Sequence, residues 1–245
     1  YFQGAHRNDQ HAFTLIFSAP QDSLPVIHAL RPSQIDSLNS DSAWVNFWDY
    51  SLLQVSERMD TITYWLTDSL AIGMDSIYLQ MQYKVTDSLY NLVSKTDTIL
   101  AVYRHPRISD KARETYERKK RERKLELSSN ASSSFDIYDT IRITSEFPIN
   151  AVVDSLFHLS RKVDTLLKPI PFKIQKSDTL AMTLYVLANL QPEESYFLSI
   201  DSAACLDIYG VSNDSFEQHI KLKSKNDYSS LRIKLLQWDE RARIQ

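Results

Sequence analysis

The sequence predicts an all-β chain built as two antiparallel β-sandwiches joined by a charged α-helical spacer. Three observations carry this. Apolar and polar residues alternate with a period of two in most segments, which puts one face of each strand on a core and the other in water. The alternating runs recur every 10–15 residues with turn residues between them, a sandwich rhythm. One charged stretch, 109–127, breaks the alternation, being rich in helix formers and free of glycine and proline.

In chain order, Tyr1-Phe2-Gln3-Gly4 reads as the remnant of a protease-cleaved tag and is set aside from the fold. Phe13–Phe17 is a β-rich run ended by Ala19-Pro20. Thr61–Leu66 and Ser76–Tyr83 alternate, as do Thr140–Ile143, Ile220–Lys223 and Leu231–Leu235. Asp followed by Ser or Thr and an aliphatic residue recurs, as at Asp60-Thr61-Ile62, Asp68-Ser69-Leu70, Asp97-Thr98-Ile99 and Asp139-Thr140-Ile141. Calcium loops need closely spaced oxygen ligands around a glycine bend, which these segments lack. The favoured reading is an Asp that closes a turn on its own following backbone before a strand begins.

The spacer runs from 106 to 134. Pro106 precedes an N-cap at Ser109 or Asp110, the apolar stripe of Ile108, Ala112 and Tyr116 is thin, and Ser128–Ser134 reads as a flexible tether. The basic run Arg118–Lys124 is interleaved with Glu114, Glu117 and Glu122 and holds no stacking aromatics. It reads as a solvated, salt-bridged spacer rather than a nucleic-acid or lipid site. The expected organisation is a tag remnant at 1–4, an immunoglobulin-like sandwich at 5–105, the helix and linker at 106–134, a second sandwich at 135–225, and the start of a further domain or a tail at 226–245.

Composition excludes several function classes. The chain has 245 residues, 43% hydrophobic, with net charge −3, enough for two cores and without a global pull toward nucleic acid. Three glycines, one of them in the tag remnant, cannot build a phosphate-cradling loop. A single cysteine, Cys205, excludes an internal disulfide framework and reads as a buried, inert thiol. The histidines at 6, 11, 28, 105, 158 and 219 stand singly, without metal-ligand spacing. No catalytic, cofactor-binding or metal residue is expected. Carboxylates are plentiful, but nothing elevates one pair toward hydrolase chemistry.

Aromatic crowding supplies the one candidate binding surface: Trp44, Phe47, Trp48 and Tyr50. Such side chains serve equally as interface anchors and as sandwich core. Core packing is the weightier reading, with a glycan-stacking platform as the alternative.

The second half carries a familiar order of landmarks. A strand ends in Phe147-Pro148-Ile149, a run follows from Val152 to Leu159, and then come Leu190-Gln191-Pro192, Tyr196 and Asp207–Gly210. This succession resembles the bacterial Ig-like domain named after the S-layer protein SbsA. The resemblance implies that Pro148 closes the first strand, Leu190 and Pro192 tighten a turn into the next, Tyr196 plugs the core, and Asp207 with Gly210 starts the last hairpin. Glu193-Glu194-Ser195 departs from the glycine common there in the family. Taken whole, the chain resembles the central part of Ig-like-domain envelope lipoproteins of Bacteroidota. That implies a non-catalytic structural or interaction module, with an accessory subunit docked on an outer-membrane protein complex as its concrete version. Its partners would be other envelope proteins or neighbouring domains, or a glycan, and not nucleic acid. The membrane would be reached only through an anchor outside this fragment.

Overall fold

A computed structural model describes residues 1–30, 44–46, 51–107, 109–164, 166–177 and 180–230. The fold is all-β and Ig-like. Its strands lie in antiparallel sheets, and among the described residues there are two α-helices, α1 (Ser69–Gly73) and α2 (Asp110–Arg121). The chain divides into two compact units, Tyr1–Arg121 and Glu122–Gln245.

Among the described residues, the first unit is a pair of four-stranded sheets. One has the order β1-β2-β6-β5, where β1 is Phe2–Asp9, β2 Ala12–Phe17, β5 Ser51–Val55 and β6 Thr61–Leu66. The other has the order β4-β3-β7-β8, where β3 is Val26–Leu30, β4 Trp44–Asn46, β7 Ser76–Thr86 and β8 Leu92–Val102. The period-two pattern does what it predicts. Phe13, Leu15 and Phe17 of β2 turn inward with Ile62, Tyr64 and Leu66 of β6, against Ile77, Leu79, Met81 and Tyr83 of β7. Phe13 stacks on Tyr64 with ring centroids 5.1 Å apart. Each such side chain withdrawn from water contributes about 1.5–3 kcal/mol.

Three expectations for this unit are corrected. Phe2–Gly4, set aside as tag, lies in β1: Phe2 pairs with Phe17 across the ladder, and its ring sits 5.6 Å from that of Phe17 and 6.0 Å from that of Tyr83. An aromatic within reach of an apolar sheet face packs there regardless of origin. Asp68-Ser69-Leu70 opens a helix rather than a strand, because the Asp68 carboxylate accepts the Ala71 N–H and caps α1. Asp97 lies mid-strand in β8, where its carboxylate accepts from Tyr83 Oη at 2.7 Å and Lys95 Nζ at 2.9 Å. At Asp60 a turn does precede β6, but Ser56 Oγ accepts the Asp60 and Thr61 N–H groups while the Asp60 carboxylate accepts from the Ser56 and Thr61 hydroxyls.

The second unit has sheets β14-β15-β10-β9 and β13-β12-β16-β18 with a ribbon β11-β17. The ranges are β9 Leu127–Ser129, β10 Ile141–Ser145, β11 Ile149–Val152, β12 Phe157–Val163, β13 Leu166–Pro169, β14 Phe172–Lys176, β15 Thr183–Ala188, β16 Ser195–Ile200, β17 Cys205–Asp207 and β18 Phe216–Lys221. Ile141, Ile143, Leu184 and Val186 bury from the first sheet. Phe157, Leu159, Tyr196, Leu198, Ile200 and Ile220 bury from the second.

The Ser-rich segment expected as a flexible linker is instead the opening strand of this unit. Residues 127–129 pair with Ser145, Thr144 and Ile143 of β10. The chain then crosses to the other sheet, where Phe135 N–H donates to Lys221 O and Lys223 N–H to Phe135 O. Serine suits this crossing because its hydroxyls satisfy the turning backbone: Ser129 Oγ accepts from Ala131 N–H and Ser128 Oγ meets Thr144 Oγ1 at 2.9 Å. The expected run from Val152 to Leu159 is likewise broken, by a 3-10 turn at Asp154–Leu156 between β11 and β12. The helix of the expected spacer is present as α2, and its described side chains are exposed apart from a half-buried Tyr116. Beyond β18, Ser224 caps a 3-10 turn at Lys225–Asp227, and Ile137 N–H donates to Tyr228 Oη. The segment from 226 expected to open a further domain therefore begins by packing on this unit, and Leu231–Leu235 lies outside the described residues.

Candidate functional site

Of the aromatic run, Trp44 opens β4, which pairs with β3 through Leu30↔Trp44 and forms the edge of its sheet. Phe47, Trp48 and Tyr50 lie outside the described residues.

The landmark residues of the second half fall in one unit, with distinct jobs. Pro148 is buried behind β10, and its carbonyl accepts the Ile208 N–H. Leu190 and Pro192 are half-buried in the turn before β16. Tyr196 is buried in β16, and its hydroxyl accepts the Gln191 N–H at 2.8 Å, tying strand to turn. Burial raises the Tyr196 phenol above its ordinary range. Asp207 ends β17 with its side chain fully enclosed. Its Oδ1 accepts the N–H groups of Tyr209 and Val211, both at 2.8 Å, and Gly210 takes φ +77° in that turn.

What the basic run at 118–124 does was not legible from charge. Within the second unit, Arg123 donates to Asp207 Oδ2. Its guanidinium lies 4.1 Å from the centre of the Phe147 ring and 5.7 Å from that of Tyr209. An enclosed carboxylate needs a partner and donors on its remaining lone pairs, and Arg123 with the two turn amides supplies them. The expected solvated, salt-bridged spacer is corrected at this residue, whose partner is an enclosed carboxylate and not an interleaved glutamate. Nearby, Asn213 is fully buried: Oδ1 accepts Cys205 N–H at 2.7 Å, and Nδ2 donates to the carbonyls of Asp201 and Asp214. These groups hold β17 against the last hairpin and face inward.

The Cys205 thiol is buried, which pushes it up to about 12, so it is neutral and poorly nucleophilic at ordinary pH. His11, His105 and His158 each meet a single carboxylate, Asp9 at 2.9 Å, Asp75 at 2.7 Å and Asp201 at 3.2 Å. Among the described residues no group of three or more His, Cys, Asp or Glu is placed to hold a metal ion. No described helix is long and apolar enough to cross a membrane.

Several of the exposed apolar residues fall on one hairpin. The β7–β8 hairpin carries Leu89, 77% exposed, and Tyr90, 89% exposed, at its tip, with Leu92 following. The turn is fixed from within: Asp87 N–H donates to Asn91 O, the Asp87 carboxylate accepts the N–H groups of Leu89 and Asn91, and Tyr90 sits at φ +64°. A built turn thus holds two large apolar side chains out in water. In the second unit Leu166 and Leu167 are exposed on β13. No sequence signal separates these residues from core-facing ones, because a hairpin tip shares the composition of the strands it joins.

No family model and no curated protein matches the chain. Among solved structures, it is similar to domains 1–6 of the surface layer protein SbsC at 11% identity and TM-score 0.38, covering 91% of this chain and 25% of that one. The N-terminal part of the bacterial S-layer protein SbsC gives 13% identity and TM-score 0.32, covering 91% of this chain and 44% of that one. Murine CEACAM1b gives 10% identity and TM-score 0.22, covering 90% and 98%. The chain therefore spans a quarter of the length of the first of these.

Proposed function

We propose that the chain is a non-catalytic interaction module of a bacterial cell-envelope protein, an outer-membrane lipoprotein that serves as an accessory subunit of an outer-membrane protein complex. The observation that carries this reading is the β7–β8 tip, where a turn locked by Asp87 presents Leu89 and Tyr90 to solvent. Exposed large apolar groups on a rigid hairpin cost solubility and are useful as anchors for a protein partner. The envelope placement is supported by the SbsA-like order of Pro148, Leu190, Pro192, Tyr196, Asp207 and Gly210. The non-catalytic part is supported by a buried thiol and by histidines dispersed among single carboxylates.

The test is made in the native cell. A photo-crosslinking amino acid at position 89 or 90 of the full-length protein is expected to give an adduct of one defined mass in the outer-membrane fraction. The same probe at exposed Lys225 is expected to give none. A protein recovered in the cytosol, or a tip that yields no adduct, overturns the reading.

A further inference from the structure

The outer edge of β8 has a chemical pattern that matches itself when reversed. β8 is the last strand in the order β4-β3-β7-β8. Its pairing with β7 runs without a register shift from Ser76↔Val102 to Thr86↔Leu92. Two hydrogen bonds at the ends of this ladder fix which backbone groups point outward: Tyr103 N–H donates to Asp75 O and Asp87 N–H to Asn91 O. Odd-numbered residues of β8 therefore bond to β7, and Leu92, Ser94, Thr96, Thr98 and Leu100 direct N–H and C=O away from it. Beyond Leu100, β1 draws alongside through the bridge Arg7↔Tyr103. Among the described residues, no strand pairs with the outer edge of Leu92–Leu100.

Natural proteins blunt such edges with proline, bulges or inward charges. This edge has no proline and no bulge. It has one inward-face lysine, Lys95, and two residues later on the same face comes Asp97. Laid antiparallel on a second copy about Thr96, the strand puts Lys95 opposite Asp97, Val93 opposite Ile99, Ser94 opposite Thr98, and Leu92 opposite Leu100. The outward backbone groups match in the same register. Thr96 meets Thr96 as a hydrogen-bonded pair, as do Ser94 with Thr98 and Leu92 with Leu100. Lys95 with Asp97 and Val93 with Ile99 become non-hydrogen-bonded pairs, whose side chains lie closest. The lysine that would repel a basic strand thus meets the aspartate of a second copy. Leu92, 56% exposed, and Leu100, 44% exposed, are covered by each other.

We propose that two copies of this chain associate about a two-fold axis at Thr96, β8 against β8, merging their sheets. This is independent of the envelope reading, since it concerns the purified chain alone. The contact is small, so the dimer is weak and concentration-dependent.

Register is tested by cysteine pairing under mild oxidation. Thr96→Cys brings two thiols together across the axis, within the roughly 4.4–6.8 Å Cα separation that a disulfide accepts. Thr98→Cys faces Ser94 of the second copy and lies about 13 Å along the strand from its own counterpart. The expected result is disulfide dimer from Thr96→Cys, formed at least about tenfold faster than from Thr98→Cys. Adding Lys95→Glu to Thr96→Cys places Glu against Asp97 and is expected to slow the reaction; Lys95→Asp with Asp97→Lys is expected to restore it. Equal rates for the two single cysteines overturn the proposal, and so does an adduct that forms only with another protein of an envelope extract. Sedimentation velocity on the unsubstituted chain is the second reading: a mass that rises toward the dimer with concentration supports the proposal, and a monomer throughout overturns it.

Discussion

Arg123 and Asp207 form an ion pair in which the carboxylate is fully enclosed and the guanidinium is about one-quarter exposed. The two partners are therefore unequal. Without Asp207, Arg123 can turn to water, and the amides of Tyr209 and Val211 lose their acceptor. Without Arg123, the carboxylate stays buried and loses its counter-charge. Arg123→Ala is expected to destabilise the second unit by about 3–5 kcal/mol, the range for breaking a buried pair. Removing Arg123 and Asp207 together is expected to cost less than the sum of the single changes. Denaturant unfolding of the three variants checks this, and additive losses would show that the pair does not couple.

Gly210 takes φ +77° in the turn that Asp207 caps, and a Cβ there would meet nothing within 4 Å. The cost of a side chain is thus conformational alone. Gly210→Ala is expected to cost about 1–2 kcal/mol, and Gly210→Asn less, since asparagine tolerates the left-handed region. Thermal unfolding of both variants decides it: an alanine as stable as glycine would mean the turn takes another form in solution.

Cys205 makes the second unit sensitive to alkali. Burial raises its thiol from an ordinary 9.0 to about 12. The folded chain therefore holds this proton more tightly than the unfolded chain does. Stability from this source is complete below pH 9.0 and declines as pH rises toward about 12, by at most roughly 1.4 kcal/mol per pH unit. Cys205→Ala is expected to flatten that decline. Alkylation at pH 8 is expected to be negligible in the native protein and rapid once it is unfolded. A native thiol that reacts as fast as the unfolded one would contradict the burial.

The strands were legible because alternation is a local signal: Phe13–Phe17, Thr61–Leu66 and Ser76–Tyr83 read as strands and are β2, β6 and most of β7. The Ser-rich segment was not legible. A strand that switches sheets at Ser132–Phe135 needs hydroxyls for its turning backbone, and the same composition marks a flexible tether. Arg123 was hidden for a related reason. In a run of seven charged residues nothing local distinguishes the one whose partner, Asp207, lies 84 residues away. The outer edge of β8 could be recognised only once β7 had been placed on its other side.

Arg7 ties β1 to α1. It is buried at 4% exposure, and its guanidinium donates to the carbonyls of Ala71, Met74 and Gln10. Two of these acceptors close the C-terminal end of the five-residue helix α1, which is too short to stand without tertiary support. Burial lowers the Arg7 pKa, while Asp75 and Asp9 act in the opposite sense. Lysine keeps the charge but is a single point donor and cannot span three carbonyls on two elements. Arg7→Lys is expected to cost about 2–3 kcal/mol, the loss of charge-assisted bonds from a buried site. It is also expected to raise amide exchange at Ile72 and Met74, whose N–H groups bond to Asp68 and Ala71 carbonyls within the helix. Unchanged exchange at those two amides, with the sandwich core still protected, would mean that α1 is held by its Asp68 cap and apolar contacts and not by Arg7.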